Sequence, residues 1–138
     1  NKEKLFAAAA DFDLRLPDLS TVPRERIGVA LVEHFFDRWE ADDTFMALLR
    51  AAATNDAAAK KVRAVLSGQV APAIAALSRD AANAGTRAGL VASQMLGLAL
   101  CRYVLRLPPV VGMSRADVVA WLGPTVQRYV TSPRTDRI

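Results

Sequence analysis

Residues 86–107 read TRAGLVASQMLGLALCRYVLRL, and the rest of the chain is organised around this stretch. Between Arg87 and Arg102 it carries no charge, and its only clearly polar residues are Ser93 and Gln94. A helix on a protein surface shows one apolar stripe, whereas a helix that is apolar nearly all round must be covered on more than one side. The stretch therefore predicts a central helix that is packed between other helices.

Small side chains recur at every fourth position of this helix and form one ridge along it: Gly89, Ser93, Gly97 and Cys101. Such a ridge lets a second helix approach closely, because ridges and grooves set how helices cross. Bulky side chains lie on the other side of the helix: Val91, Met95, Leu98 and Leu105. We therefore expect the helix to lie between the core of its own domain and a further helix. That further helix belongs either to a second copy of the chain or to a monomeric bundle.

Length and composition predict a single helical domain over residues 1–131, followed by a flexible tail over residues 132–138. The chain of 138 residues is 52% hydrophobic and only 7% aromatic, and it is rich in alanine, which favours helices. Its uncharged runs are shorter than the roughly 20 apolar residues that a membrane span needs. No signal peptide is visible, and a single cysteine cannot form an internal disulfide. We therefore expect a cytoplasmic protein with no membrane contact.

The formal net charge of +4 raises the question of a nucleic-acid surface. The basic residues are dispersed, and their tightest cluster is only Lys60, Lys61 and Arg63. Aromatic residues are not interleaved with them, as they are in proteins that bind single strands. The charge therefore predicts solvated helix faces rather than a DNA-binding surface.

Hydrophobic spacing and capping signals divide the chain into six or seven helices, and no segment shows the period of a strand, so the expected fold is an all-α helical bundle. Asn1 suits the start of a first helix, and Asp42 and Asp43 suit the start of a short one. Ser114 opens the last helix with a variant of the capping box. The longer helices are expected at residues 23–40, 55–83 (with a bend at Gly68–Pro72), 86–107 and 115–131.

The sequence lacks the residue patterns of common catalytic and metal sites. One histidine and one cysteine, on different predicted helices, cannot by themselves form a recognisable metal site. Asp42 and Asp43 are adjacent and so do not face one another on a helix. There is no glycine-rich phosphate loop, nucleophile elbow or zinc-protease motif. We therefore expect neither catalysis nor a cofactor nor a metal.

A few polar, aromatic and thioether side chains lie among apolar ones and are candidate ligand-binding residues: Phe35, Trp39, Phe45, Gln94, Met95, Leu98 and Arg102. The aromatic residues and Met95 have a helical spacing that suits either an apolar pocket or an ordinary core. Arg102 has three possible partners: a carboxylate of Glu33 or Asp37, water, or an anionic ligand.

Three stretches together resemble the regulatory domain of TetR-family transcriptional regulators. NKEKLFAAA at the start of the chain is similar to the seam between their DNA-binding and regulatory domains. GTRAGLVASQMLGLALCRYVLRLPPV (residues 85–110) is similar to their penultimate helix. SRADVVAWLGPTVQRYVT (residues 114–131), with its interior Leu-Gly-Pro, is similar to their last helix.

The resemblance implies a ligand-binding and dimerising domain whose DNA-binding helix-turn-helix is missing from this sequence. The ligand would be a small apolar effector, held between the helices at 23–40, 55–83 and 86–107. DNA would be bound only through the missing N-terminal part. A homodimer would form through the last two helices, with these candidate interface residues: Gly89, Ser93, Gly97, Leu100, Val104, Val118, Trp121, Leu122, Val126 and Tyr129.

Two other functions are considered from the residues alone. One is a helical homodimerisation module that binds no ligand, for which the dimer face is the whole function. The other is a cofactor-free helical enzyme, which the absence of an acid–base constellation argues against.

Overall fold

The computed structural model describes residues 12–77 and 81–133, and every regular element in this part of the chain is helical. The α-helices are α1 (Ile27–Ala41), α2 (Thr44–Ala52), α3 (Asp56–Val65), α4 (Ala71–Ala75), α5 (Ala84–Ala99), α6 (Pro108–Val111) and α7 (Arg115–Thr131). Two π-helical segments, Leu66–Val70 and Leu100–Val104, follow α3 and α5, and 3-10 turns lie at Leu19–Thr21, Arg24–Arg26 and Ala81–Asn83. The prediction of an all-α fold is confirmed. The predicted helix at residues 1–10, the first family-like stretch and most of the predicted tail lie outside the described residues.

Side-chain caps fix where several helices begin. The Asn55 side chain accepts a hydrogen bond from the backbone N–H of Ala58 at the start of α3. Ser114 does the same for the N–H of Asp117 at the start of α7. Such caps satisfy donors that have no partner inside the helix. Both starts lie where the sequence signals predicted them.

Two long predicted helices depart from regular α geometry. The segment predicted at 55–83 changes to π geometry at Leu66–Val70, just before Pro72, and its α-helical part ends at Ala75. A proline removes one backbone donor from the helical ladder, so a local change of hydrogen-bonding is expected near it.

The central helix ends earlier than predicted. It leaves α geometry at Leu100, and Arg106 takes a left-handed conformation with φ 54°. The N–H of Leu107 then donates to the carbonyl oxygen of Cys101, a closure typical of helix C-termini. Pro108 begins the short helix α6.

Helices α1 and α7 form the most extensive helix pair. They cross at two glycines, which have no side chain to keep the two backbones apart. A Cβ atom on Gly28 would lie 2.2 Å from the carbonyl oxygen of Gly123, and one on Gly123 would lie 2.7 Å from Val29. The Gly28 N–H also donates to the Gln127 side-chain oxygen at 2.7 Å. Among the glycines, the closest approach of a second helix is therefore at Gly28 and Gly123, not at the predicted ridge on α5.

Helix α5 buries one face against the other helices and leaves the opposite face open. Val91 and Met95 are almost fully buried, whereas Gly89 and Gly97 have no heavy atom of a neighbouring element within 4 Å of a Cβ placed on them. The prediction that Leu105 lies on the buried face is wrong, because Leu105 is 58% exposed. It lies beyond the π segment, where the α-helical register on which the expectation rested no longer holds.

Candidate functional site

An apolar cavity of about 210 Å³ lies between α1, α2, α3 with its π segment, α5 and the chain segment before α1. Its lining is Leu14, Phe35, Trp39, Phe45, Val62, Arg63, Val65, Leu66, Val70, Ala92, Met95 and Leu96. Arg63 is the only charged residue of this lining, and its side chain is 62% exposed. The cavity therefore presents an apolar interior with one guanidinium at its solvent side.

Four of the seven candidate ligand residues line this cavity: Phe35, Trp39, Phe45 and Met95. Leu98 and Gln94 do not. Leu98 is 8% exposed and packs in the core. Gln94 is half-buried, and it lies two residues from both Ala92 and Leu96 of the cavity lining, which places it about 200° around the helix from each of them.

Arg102 also lies away from the cavity lining, and its hydrogen bonds go to backbone oxygens rather than to the carboxylate of Glu33 or Asp37. Its Nη1 donates to the carbonyl oxygens of Val110 and Met113, at 3.0 and 2.9 Å. Its guanidinium also lies 5.4 Å from the centre of the Phe36 ring. Arg102 thus holds the segment around α6 against the core.

One of the two carboxylates considered as a partner of Arg102, that of Asp37, pairs with Arg115 instead. Arg115 donates to the Asp37 carboxylate at 2.6 Å and to the Glu33 carbonyl oxygen at 2.9 Å. Arg115 begins α7, so this pair joins α7 to α1.

The sequence reasoning missed the contribution of the segment before α1. We refer to residues 12–16 as the N-terminal strap. Leu14 of the strap is 2% exposed and lines the cavity, and Phe12 stacks on the cavity residue Phe45 with ring centres 4.9 Å apart. A strap of five residues has no helical period, so no pattern in the sequence pointed to it.

The strap is fastened by polar side chains from two helices. Gln69, in the π segment after α3, donates to the Phe12 carbonyl oxygen at 2.6 Å and accepts from the Leu14 N–H at 2.7 Å. From α1, His34 donates to the Leu14 carbonyl oxygen and Arg38 donates to that of Asp13. The wall that carries Leu14 is therefore tied to the same helices that line the cavity.

Trp39 is the one polar-tipped side chain in the cavity lining besides Arg63. It is 4% exposed, and its indole nitrogen Nε1 has no hydrogen-bond partner among the described residues. Tyr103 packs edge-on against Trp39 at 6.0 Å, and its hydroxyl group donates to the Glu40 carboxylate at 3.1 Å. Burial raises the pKa of Tyr103, and the charge of Glu40 raises it further.

The candidate dimer residues fall into three groups by their exposure. Val118 and Val126 are at most 1% exposed, because they pack into the chain's own core, so their expected contact with a second copy is wrong. Leu100, Val104, Leu122 and Tyr129 are half-buried, and Gly89 is half-buried on the open face of α5. Ser93, Gly97 and Trp121 are exposed, Trp121 by 75%.

The described residues contain neither a candidate metal-binding cluster nor a helix that could cross a membrane. Within residues 12–77 and 81–133, no three or more histidine, cysteine, aspartate or glutamate side chains are grouped so that they could hold a metal ion. In the same part of the chain, no helix has both the length and the apolarity needed to cross a membrane.

Comparison with known families adds one finding. The family model described as "Tetracyclin repressor-like, C-terminal domain" matches residues 25–130. This match spans α1 to nearly the end of α7, and so contains most of the cavity lining. No curated protein matches the chain, and no solved structure matches it.

Proposed function

The chain belongs to the tetracyclin repressor-like C-terminal domain family, and from this premise we propose that it is the effector-binding, dimerising part of a transcriptional regulator. The observation that carries the proposal is the apolar cavity of about 210 Å³ enclosed by α1, α2, α3 and α5. The effector is a small apolar molecule that occupies this cavity. DNA is bound by a helix-turn-helix that is not part of the printed sequence. A dimerisation module without a ligand would need no such cavity.

The N-terminal strap supports a route by which the effector is sensed. Leu14 forms part of the cavity wall, and the strap leads directly toward the N-terminal residues. A ligand changes a conformational equilibrium only through different affinity for its two states. An effector that needs the space of Leu14 favours the state in which the strap has moved.

The cavity is tested by filling it. Ala92 lines the cavity on α5, so Ala92→Phe should occupy much of the space. Cumene, an apolar probe, should raise the Tm of the parent chain, with the logarithmic dependence on concentration of a ligand that binds the folded state, and should have no effect on Ala92→Phe. Ala57→Phe, at an exposed site on α3 outside the lining, is the matched control and should respond like the parent. Equal stabilisation of all three proteins by cumene would contradict binding in this cavity.

Dimerisation is proposed through the open face of α5 together with the exposed part of α7. The ridge residues Ser93 and Gly97 are exposed, and Trp121 is 75% exposed. Single exposed apolar residues are ordinary, but the open ridge of small residues on α5 suits a close helix contact with a second copy. The large exposed aromatic on α7 adds apolar surface for such a contact to bury. The family to which the chain belongs supports the same assignment.

Sedimentation at several concentrations tests the dimer. Gly97→Leu should weaken self-association, because several added methyl-sized groups would have to fit into the contact between the two copies. Gly68→Leu makes the same chemical change at another exposed glycine with nothing within 4 Å, and it should leave self-association unchanged. A parent chain that stays at the monomer mass of 14.9 kDa throughout would refute the dimer.

A further inference from the structure

The wall of the cavity offers no hydrogen-bonding group to a molecule inside it. Among the described residues, no polar atom contributes to the accessible surface of the cavity. The two lining side chains that have polar tips fit this observation. The indole nitrogen of Trp39 is inaccessible, so this residue presents only carbon atoms to the cavity. The side chain of Arg63 is 62% exposed, so its guanidinium stays in water while its carbon stem lines the cavity.

The backbone of the wall is hydrogen-bonded as well. Every lining residue except Leu14 lies in an α-helix or a π segment, where backbone groups bond to one another along the helix. Leu14 lies in the irregular strap, but its N–H donates to Gln69 and its carbonyl oxygen accepts from His34. The one irregular backbone unit of the wall is therefore occupied by side chains and is not free to meet a ligand.

Such a wall selects against any hydrogen-bonding group on the ligand. A hydroxyl or carbonyl group leaves its partners in water and finds none in the cavity, which weakens binding by roughly fivefold to a hundredfold. A charged group loses far more. A methylene group has no partner to lose, and each one that enters strengthens binding by about fourfold while space remains.

The volume of the cavity limits the size of the ligand. The cavity measures about 210 Å³. Since a cavity of about 150 Å³ holds benzene, this one holds about eight or nine carbon atoms. That size corresponds to a single ring with a short alkyl substituent.

We infer that the effector is a compact hydrocarbon of about eight or nine carbon atoms that carries no hydroxyl, carbonyl or charged group. The inference rests on the proposed function, since it assigns the chemical class of the molecule that fills the proposed cavity. The cavity then distinguishes a hydrocarbon from a hydroxylated derivative of the same size and shape, and the regulator responds only to the hydrocarbon.

Ethylbenzene and benzyl alcohol test this distinction, because they have the same number of non-hydrogen atoms and differ by a methyl against a hydroxyl group. Calorimetric titration of the parent chain gives the ratio of their dissociation constants. The reference is the ratio of their octanol–water partition coefficients, because octanol can hydrogen-bond to the hydroxyl group. We expect the preference of the parent chain for ethylbenzene to exceed this reference by about tenfold. A preference that does not exceed the reference would show that the cavity supplies a partner, which overturns the inference while the effector cavity stands.

A hydroxyl group built into the wall should reduce the preference. Val65→Thr places one at a buried lining position with little change of shape, so the preference for ethylbenzene should fall by about threefold to tenfold. Val119→Thr makes the same change at a residue that is 8% exposed, against 7% for Val65, and lies outside the lining. It should leave the preference unchanged. Equal preferences in the parent and in Val65→Thr would contradict the inference.

The alkylbenzenes from benzene to butylbenzene test the size. Affinity should rise by about fourfold with each added carbon. It should stop rising after ethylbenzene or propylbenzene, when about eight or nine carbon atoms fill the cavity. A rise that continues to butylbenzene would overturn the size assignment and leave the effector cavity standing.

Failure of the proposed function would look different. Ala92→Phe fills the cavity and should abolish the binding of every probe. If ethylbenzene does not bind the parent chain at any concentration up to its solubility, or if it binds Ala92→Phe equally well, the proposed cavity function fails and the inference fails with it.

Discussion

The crossing of α1 and α7 gives the sharpest test of the packing. Gly28 lies at the second position of α1, where an added Cβ would be 2.2 Å from the Gly123 carbonyl oxygen and 2.5 Å from the Gln127 backbone nitrogen. Both obstacles are backbone atoms of α7, which cannot rotate away as the end of a side chain can. Gly28→Ala must therefore push the two helices apart.

The expected loss combines three contributions. Overpacking of a close contact costs about 1–3 kcal/mol. The separation also stretches the 2.7 Å hydrogen bond from the Gly28 N–H to Gln127, a further loss of about 1 kcal/mol. Alanine has a higher helix propensity than glycine, which offsets up to about 1 kcal/mol of this loss. We expect a net decrease of about 2 kcal/mol in the free energy of unfolding, a fall in Tm of roughly 5–10 °C for a domain of this size.

Circular dichroism melts at one fixed protein concentration provide the assay, with Gly85→Ala as the matched control. Gly85 is likewise the second residue of its helix, α5, but nothing lies within 4 Å of its added Cβ. Gly85→Ala should therefore gain the higher helix propensity of alanine without a steric cost, and its Tm should equal or exceed that of the parent chain. If Gly28→Ala melts as high as Gly85→Ala, the helices do not cross as closely as the contact distances require, and the reasoning is refuted.

Three further variants test the polar contacts. Arg102→Gln shortens the side chain that binds two backbone carbonyls, so unfolding should become easier by about 1–3 kcal/mol, and amide exchange should rise in residues 110–113; unchanged exchange there would contradict the role assigned to it. Gln69→Leu should increase amide exchange in the strap beyond any change in global stability, since both of its strap hydrogen bonds are lost; equal protection in the two proteins would refute the fastening. Tyr103 has its pKa raised by burial and by Glu40, so its protonated form contributes stability fully below about pH 10 and loses it as pH rises through the raised value. Urea titrations from pH 9 to 12 should show a shallower loss for Tyr103→Phe than for the parent, and parallel losses would speak against the shift.

The amphipathic pattern predicted which faces are covered, but not by which element. Val118 and Val126 lie on an apolar stripe of the last helix, and the family resemblance implies that they contact a second copy of the chain. In the structure they are at most 1% exposed, within their own core. A stripe reports only that water is excluded from one face of a helix. Whether α1 or a partner excludes it depends on the turns between helices, which no periodicity encodes.

Glycine spacing was ambiguous for the same reason. Gly97 belonged to a regular ridge and suggested a close crossing, yet no heavy atom of a neighbouring element lies within 4 Å of its added Cβ. Gly28 stood alone in an apolar stripe, and it is there that backbone meets backbone. A small residue permits a close approach without requiring one. The requirement becomes visible only when the position of the second helix is known.

The cavity could be predicted in part, from its helical walls. Phe35, Trp39 and Met95 have regular helical spacing, so the sequence could place them on inward faces. The sequence does not point to Leu14 or Arg63 as cavity residues. Leu14 lies in an irregular strap, and Arg63 belongs to the basic cluster that is expected on a solvated helix face. Arg102 is a polar residue within an apolar run, which makes it a candidate ligand-binding residue in the sequence. Its contacts in the structure do not support that role. Its guanidinium satisfies backbone carbonyls of the α6 region, which a sequence pattern does not distinguish from a ligand.

Helix α5 joins the proposed cavity to the proposed dimer face, and its composition follows from that position. Met95 and Leu96 line the cavity, whereas the next residue, Gly97, is exposed on the outer side. A helix is stiff along its length, so an effector that displaces Met95 carries Gly97 with it. Two ligands that bias the same element must affect one another's affinity by equal factors. Helix α5 has the arrangement that such a shared element requires, because the bulky Val91 and Met95 are buried on its inner face whereas the small Ser93 and Gly97 are exposed on its outer face.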